Sequence, residues 1–461
     1  MKWRVARLWI AGLVMLLTDF PAPLGEATAA DGPIGVITRG LPDVVLPANS
    51  TEGLPTRYGL GFPVQLGPRT AGLFCNLRVV GVGRTDYEDG TDVFVFDDPA
   101  NVSKGGPTPI SRNEKEKDAA TGEARFIVKY PAQVGFWPLE ARQPDGSAHP
   151  GAGKGFALCQ ALSLVGAGDK LTWDMFSLPS LRCYAEVMQL SFDGQRVAVV
   201  KRELIRTGLG WATRDGWGLA VGGMQAAIPD GSDLLMAVSA QKEGVSRTGV
   251  CRFQFVDGQW QPIAFTPVTG GAEASLVRRA DQSLVFLTRP GEEMGAEAPK
   301  SIMLWASTDG GKTWKQILQA PNLRPQTPVS VNATPDGTVF VLANVPGMTN
   351  PSRTVTWWQL DRARLAMWQL ADGAAELKPP QLIRDCLEEF GPAADETMWY
   401  VDHPTSGIVR LGDGRWHGLV AYRLLAFSIY GDKAGEFVTP HTGCHVEEMP
   451  PSEPVTPPWR F

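Results

Sequence analysis

The chain has 461 residues, 43 % of them hydrophobic and 20 % charged, with a formal net charge of −6. That is apolar enough for a large buried core, and the mild acidity leaves no electrostatic footprint for nucleic acid or an anionic membrane surface. Glycine (51) and proline (37) are frequent without a fixed repeat period, which points to many turns and excludes a collagen-like chain.

The first thirty residues read as a secretory signal. Lys2, Arg4 and Arg7 precede the apolar run Leu8 to Leu17, and Ala27-Thr28-Ala29 offers small residues for cleavage. The run is too short to span a bilayer. A signal peptide is therefore expected over 1–30, a mature start near Ala30 or Asp31, and a secreted or periplasmic location. No later apolar run reaches the length of a membrane span, so no membrane insertion is expected after cleavage. Residues 31–70 are rich in glycine and proline and are expected to be irregular. Residues 99–125, with the charged stretch Asn113 to Asp118, are expected to be a solvated insertion.

From about residue 71 to 446 short β-rich runs alternate with tight turns. Asp193-Gly194, Asp230-Gly231, Asp336-Gly337 and Asp413-Gly414 each separate two apolar stretches, and Ala280-Asp281-Gln282 is a slipped copy of the same unit. Asp-Gly is a strong hairpin signal because the type I′ turn needs positive φ. A second turn followed by tryptophan trails several units, as at Asp257-Gly258-Gln259-Trp260. The first signal is assigned to inner strands and the second to an outer hairpin. Spacings on the order of 40 to 75 residues suit stacked four-stranded blades. The tail 447–461 is proline-rich and cannot join a central strand.

Six cysteines, Cys75, Cys159, Cys183, Cys251, Cys386 and Cys444, are widely spaced with no C-x-x-C pair. Their pairing stays open. His441, His445, Glu447 and Glu448 are metal-ligand types without a helical spacing, and Gly151 to Gly155 lacks the phosphate-loop pattern. Neither a metal nor a cofactor is expected.

Ser307-Thr308-Asp309-Gly310-Gly311-Lys312-Thr313-Trp314 resembles the Asp-box, or BNR repeat, of the sialidase superfamily. Ser307, Asp309, Gly311, Thr313 and Trp314 carry the motif, which implies an outer-hairpin turn rather than catalysis. The resemblance implies an all-β fold, a six-bladed β-propeller of sialidase-like type. It extends to Glu273, which opens a strand-turn-strand unit ending at Arg289. In that family the glutamate assists a tyrosine nucleophile and the arginine holds a substrate carboxylate. A guanidinium suits this task because its two parallel charge-assisted bonds fix the carboxylate plane. The plainer reading of Glu273 and Arg289 is an ordinary salt bridge.

By the same resemblance Arg362, with Arg353 as competitor, and Arg78 are expected to complete the substrate-binding arginines. Asp98, with Asp97 beside it, takes the acid/base position. The family's tyrosine is missing, since Thr405 stands where it would be and Tyr400 and Tyr422 are out of register. His403 is an alternative acid/base. The resemblance thus implies an exported propeller acting on glycans as an exo-glycosidase of acidic sugars, with a glycan or other small anionic ligand as partner. The alternative is a non-catalytic propeller that binds glycan or protein. Substrate and oligomeric state stay open.

Overall fold

A computed structural model of the chain describes residues 35–36, 44–45, 56–79, 88–130, 132–143, 145–165, 182–206, 210–220, 223–291, 297–325, 327–333, 338–345, 362–371, 376–390, 397–428 and 443–448. The expected signal peptide, Arg353, the turn at Asp336-Gly337 and most of the proline-rich tail lie outside these residues.

The regular secondary structure of the described residues is almost entirely strand, in six antiparallel-built sheets numbered here by chain order of their innermost strand. Sheet I holds Thr56–Gly67, Thr70–Val79, Glu88–Phe96 and Pro107–Arg112. Sheet II is built on Gln133–Trp137, Lys154–Val165, Arg182–Phe192 and Val197–Ile205, with Ala124–Lys129 and Glu114–Lys117 beside them. Sheet III is built on Ile228–Asp230, Asp233–Lys242, Val245–Val256 and Gln259–Thr269, and sheet IV on Ser275–Arg278, Leu284–Leu287, Ile302–Ser307 and Lys315–Ala320. Sheet V holds Ser330–Ala333, Val339–Asn344, Arg364–Gln369 and Gln381–Asp385. Sheet VI holds Thr397–Arg410, Trp416–Ser428 and Gly443–Glu448.

Burial follows position in the sheet. Leu284–Leu287 and Val339–Asn344 are buried at every residue, whereas Val197–Ile205, at an outer edge, is mostly exposed. Continuous burial means both sheet faces are covered. The covering comes from neighbouring sheets. Six apolar cores lie between I and II, II and III, III and IV, IV and V, V and VI, and VI and I. Val64, Phe136, Ile228, Val277, Ala333 and Ile408, one from each sheet, line a single axial cavity of about 80 Å³. The arrangement is a β-propeller of at least five blades.

Sheets VI and I approach each other closely, backbone to backbone, along their inner strands. A Cβ on Gly407 would sit 2.5 Å from the Pro63 carbonyl oxygen, so only glycine fits. Gln65 spans the seam with its amide: it donates to the Arg410 carbonyl at 3.0 Å and accepts from the Arg410 N–H at 2.6 Å. The Thr405 hydroxyl donates to the Gly61 carbonyl across the same seam.

The N-terminal part departs from expectation. The stretch 31–70 is not simply irregular, because Thr56–Gly67 is the inner strand of sheet I. Gly35–Val36 pairs in parallel with Gln381–Leu382 at the outer edge of sheet V, and Val44–Val45 pairs with His445–Val446 at the outer edge of sheet VI. The expected insertion at 99–125 is partly strand, since Pro107–Arg112 and Glu114–Lys117 pair into sheets I and II. Glu447 and Glu448 belong to the last strand of sheet VI rather than to the tail.

The turn chemistry is as read in most places. Asp257 and Gly258 both have positive φ (51° and 79°), as a type I′ turn requires. At the slipped copy Gln282 takes φ 69° where a glycine would be expected. Asp193-Gly194, by contrast, joins the outer strands of sheet II rather than an inner pair.

Replacing Gly407 by alanine should force sheets VI and I apart and cost about 1–3 kcal/mol, the range for overpacking. Denaturant unfolding measures it, and an unchanged midpoint would contradict this account of the seam.

Candidate functional site

Each inner strand begins at one end of the axis, here called the mouth end. Second strands finish there and third strands start there. Glu273 lies two residues before the inner strand of sheet IV, and Arg289 lies two residues after the second strand of that sheet. Both therefore stand at the mouth end. The Arg289 N–H donates to the Ala272 carbonyl at 3.2 Å, which pins the two segments together. Arg289 Nη1 donates to Glu273 Oε2 at 3.1 Å and to Oε1 at 3.3 Å.

Sheets V and VI supply the rest. Asp402 and His403 lie on the inner strand of sheet VI, where the pairing shifts register between Asp402 and Thr405. Asp402 is fully buried, and Arg423 on the next strand grips it with Nε to Oδ1 at 2.7 Å and Nη2 to Oδ2 at 2.8 Å. Arg362, just before the third strand of sheet V, donates to Asp402 Oδ2 as well. The His403 ring reaches Asp402 Oδ1 with Nδ1 at 2.9 Å, a charge contact without hydrogen-bond alignment. Burial by itself would raise the Asp402 carboxyl, but Arg423, His403 and Arg362 outweigh it and hold it well below the usual carboxylate range. Burial pushes the His403 imidazole down and the Arg423 charge pushes it further, against the pull of Asp402 and Glu273. Glu273 is thus near enough to act electrostatically on His403.

Backbone strain is concentrated here. Five non-glycine residues among those described have positive φ. Glu243, Asp257 and Gln282 occupy hairpin turns, where such angles are ordinary. Glu273 (φ 53°) and His403 (φ 52°) do not. One lies in an intersheet connection and the other inside a strand. Strain of this kind costs on the order of 1–3 kcal/mol per residue and persists only where the surroundings enforce it. All four partly exposed side chains, Glu273 (25 %), His403 (21 %), Arg362 (14 %) and Arg289 (12 %), remain reachable from solvent.

Asp98 does not join this group. It sits between the third and fourth strands of sheet I, at the opposite end of the axis. There it caps a short 3-10 turn, accepting from the Ala100 N–H at 2.9 Å and from Asn101 Nδ2 at 2.7 Å. Neighbouring Asp97 accepts from the Gly412 N–H at 2.7 Å. Gly412 is ten residues beyond Asp402, about 30 Å along an extended strand. The backbone of Arg78 lies near the mouth end of sheet I, paired with Glu88, while its side chain lies outside the described residues.

The segment 307–314 also lies at the far end, in the outer hairpin of sheet IV. Asp309 Oδ1 accepts from the Ser307 hydroxyl (2.8 Å) and from the N–H groups of Lys312 and Thr313 (3.0 and 2.9 Å). The Thr313 hydroxyl donates to Oδ2 at 2.6 Å, and the Gly311 N–H donates to Ser307 Oγ at 2.9 Å. Gly310 and Gly311 take positive φ (72° and 86°), and the Trp314 ring packs 5.6 Å from Phe286. The Thr313, Ser307 and backbone hydrogen bonds hold the Asp309 carboxyl well below its ordinary value. This is a turn scaffold with no contact to the mouth-end charges.

The Thr405 hydroxyl is buried and committed to the Gly61 carbonyl, so it offers no nucleophile. Tyr422 is fully buried, its hydroxyl donating to Glu447. His445 stacks on Tyr422 and meets Arg384 Nη1 at 3.0 Å, and His417 contacts Glu448 and Asp413. Among the described residues no group of three His, Cys, Asp or Glu side chains is placed to hold a metal ion. Sequence reasoning missed Asp402 and Arg423 as site residues. The Asp413-Gly414 turn brings the two strands together, but the register shift between Asp402 and Thr405, for which the sequence carries no signal, is what sets Asp402 opposite Arg423.

No protein family matches the chain, and no curated protein matches it. Among solved structures it is similar to a protein of unknown function from Dyadobacter fermentans, at 14 % identity over 90 % of this chain and 99 % of that one, with a TM-score of 0.50. Looser matches include a Hadza microbial sialidase (13 % identity, 85 % of this chain and 65 % of that one, TM-score 0.46). Another is an α-L-arabinanase of Penicillium chrysogenum complexed with arabinobiose (10 % identity, 88 % and 97 %, TM-score 0.44).

Asp402→Asn should cost about 3–5 kcal/mol, because it leaves buried cations without their carboxylate. The pH dependence carries the sign. A depressed carboxylate pKa stabilises above the unfolded value near ~3.9 and loses that contribution as pH falls through the folded value. Acid titration of stability should therefore be flatter in the variant. Asp309→Ala should lower the melting temperature yet leave mouth-end ligand binding intact, which parallel thermal and binding assays check.

Proposed function

We propose that the chain is a six-bladed, sialidase-like propeller, exported from the cytoplasm, that binds an acidic glycan at the mouth end of its axis. The six intersheet cores and the axial cavity support the blade count. Arg289 takes the sugar carboxylate, exchanging its Glu273 partner for the ligand, and Arg362 offers a second guanidinium at the same end of the axis. Glu273 and His403 then face the bound sugar, the imidazole with its pKa pushed down by burial and by Arg423. The observation that carries this reading is the pair of left-handed residues outside any turn, Glu273 and His403, both at the mouth end and both partly exposed, with the Glu273 charge acting on the imidazole. Asp402 is assigned no proton-transfer role. Arg423 and Arg362 hold it ionised, so it orients those two arginines and His403 instead.

Turnover, on this reading, is hydrolysis of a terminal acidic sugar with Glu273 or His403 moving the proton. The ordinary tyrosine-nucleophile route does not apply, since Thr405 replaces the tyrosine and its hydroxyl is buried in the seam. That same observation favours a second reading, a propeller that binds the glycan without cleaving it.

Titration with sialyl- and uronyl-terminated oligosaccharides, read by calorimetry and by released sugar, tests both. Arg289→Ala should weaken binding at least ~30-fold, the lower range for truncating a charge-paired contact. Unchanged affinity would reject the anion site. If the wild-type chain releases sugar, Glu273→Gln should slow release by about 10²–10⁴. Binding with no release at any pH would establish the non-catalytic reading.

A further inference from the structure

Two of the six cysteines meet across the seam that closes the ring. Cys75 lies on the second strand of sheet I and Cys444 on the third strand of sheet VI, and both are fully buried. Their sulfurs converge over Gly61. A Cβ at that position would lie 3.1 Å from Cys75 Sγ and 3.2 Å from Cys444 Sγ. Gly61 has no positive φ, so the glycine is there for space, and that space is filled by the two sulfurs together with Leu73 Cδ1 at 3.1 Å. The thiols act on one another directly: burial first, then the hydrogen bond and charge of Cys444, push the Cys75 thiol well above its ordinary value. No cysteine is among the groups acting on Cys159, Cys183, Cys251 or Cys386.

We propose that Cys75 and Cys444 form a disulfide that ties the first sheet of the ring to the last. The oxidant is a disulfide donor, either a small-molecule disulfide or a dithiol oxidase. One cysteine thiolate attacks a donor sulfur, forming a mixed disulfide and expelling one donor thiolate. The second cysteine thiolate then attacks the protein sulfur of that mixed disulfide and expels the other donor half. Two protein thiols are oxidised, the donor disulfide is reduced to two thiols, and two protons leave the cysteines. Thiols sealed in a buried seam are poor nucleophiles, so the bond forms while the seam is still open during folding. Once made, it closes a loop from 75 to 444 that restricts nearly the whole unfolded chain.

Refolding of the full chain from denaturant in a glutathione/glutathione-disulfide buffer tests this. Thiols are then alkylated under denaturing, non-reducing conditions and the peptides are mapped by mass spectrometry. The expected result is a Cys75 peptide linked to a Cys444 peptide, released by reductant, with the other four cysteines alkylated. Reductant should also lower the melting temperature, by on the order of 5–10 °C, and Cys75→Ala should remove that difference. Full alkylation of Cys75 and Cys444 in folded, oxidised protein, or a dominant link to any other cysteine, overturns the proposal. The wild-type map decides the matter even where the alanine variant fails to fold.

Discussion

No sheet in this chain can bury both of its faces alone. Strands such as Leu284–Leu287 and Val339–Asn344 are apolar on both sides and buried throughout. They are stable only between two neighbours, and each neighbour has the same requirement. The chain meets it by closing a circle, so the contact between sheets VI and I is the condition on which the other five cores depend. Its chemistry fits that position. Gly407 allows backbone contact with Pro63, Gln65 bridges to both polar groups of Arg410, and Thr405 satisfies the Gly61 carbonyl.

Polar side chains also tie neighbouring sheets together. Lys129, fully buried in sheet II, is matched by Glu186 at 2.8 Å, and the Ser111 hydroxyl of sheet I donates to the same carboxylate at 2.7 Å. Arg252 of sheet III pairs with Asp230 and Asp233 and also donates to the Gly310 carbonyl of sheet IV at 3.0 Å. Asp230 pairs with Arg278 of sheet IV as well. Buried ion pairs of this kind add modest net stability, because desolvation offsets the attraction, but they penalise misaligned alternatives strongly. Asp402 is the mouth-end counterpart. Its carboxylate fixes two arginines and a histidine from two sheets, and Glu273 and Arg289 arrive from a third.

Much of the local structure was readable in the residues. Asp-Gly turns mark hairpins because few other pairs tolerate positive φ, and Ser307 to Trp314 closes its own network within eight residues. Thr56–Gly67 was misread because its glycines and Pro63 look like loop chemistry. Proline is tolerated there because the strand is the sheet's inner edge, where an N–H need not join a ladder. Asp98 was misplaced because a sequence position after a strand does not say which end of the axis that strand reaches.

Taken alone, the sequence determined the all-β character, the hairpin units, the far-end turn scaffold and the pairing of Glu273 with Arg289, whose segments meet within one sheet. These are short-range outcomes, settled by turn geometry and strand alternation. Only the tertiary structure decided that Arg362 reaches Asp402 from the neighbouring sheet, that Glu273 comes near enough to act on His403, that Thr405 is sealed in the seam, and that Cys75 meets Cys444. Those encounters join residues far apart in the chain. They arise when the ring closes, and no local preference of the residues involved encodes that closure.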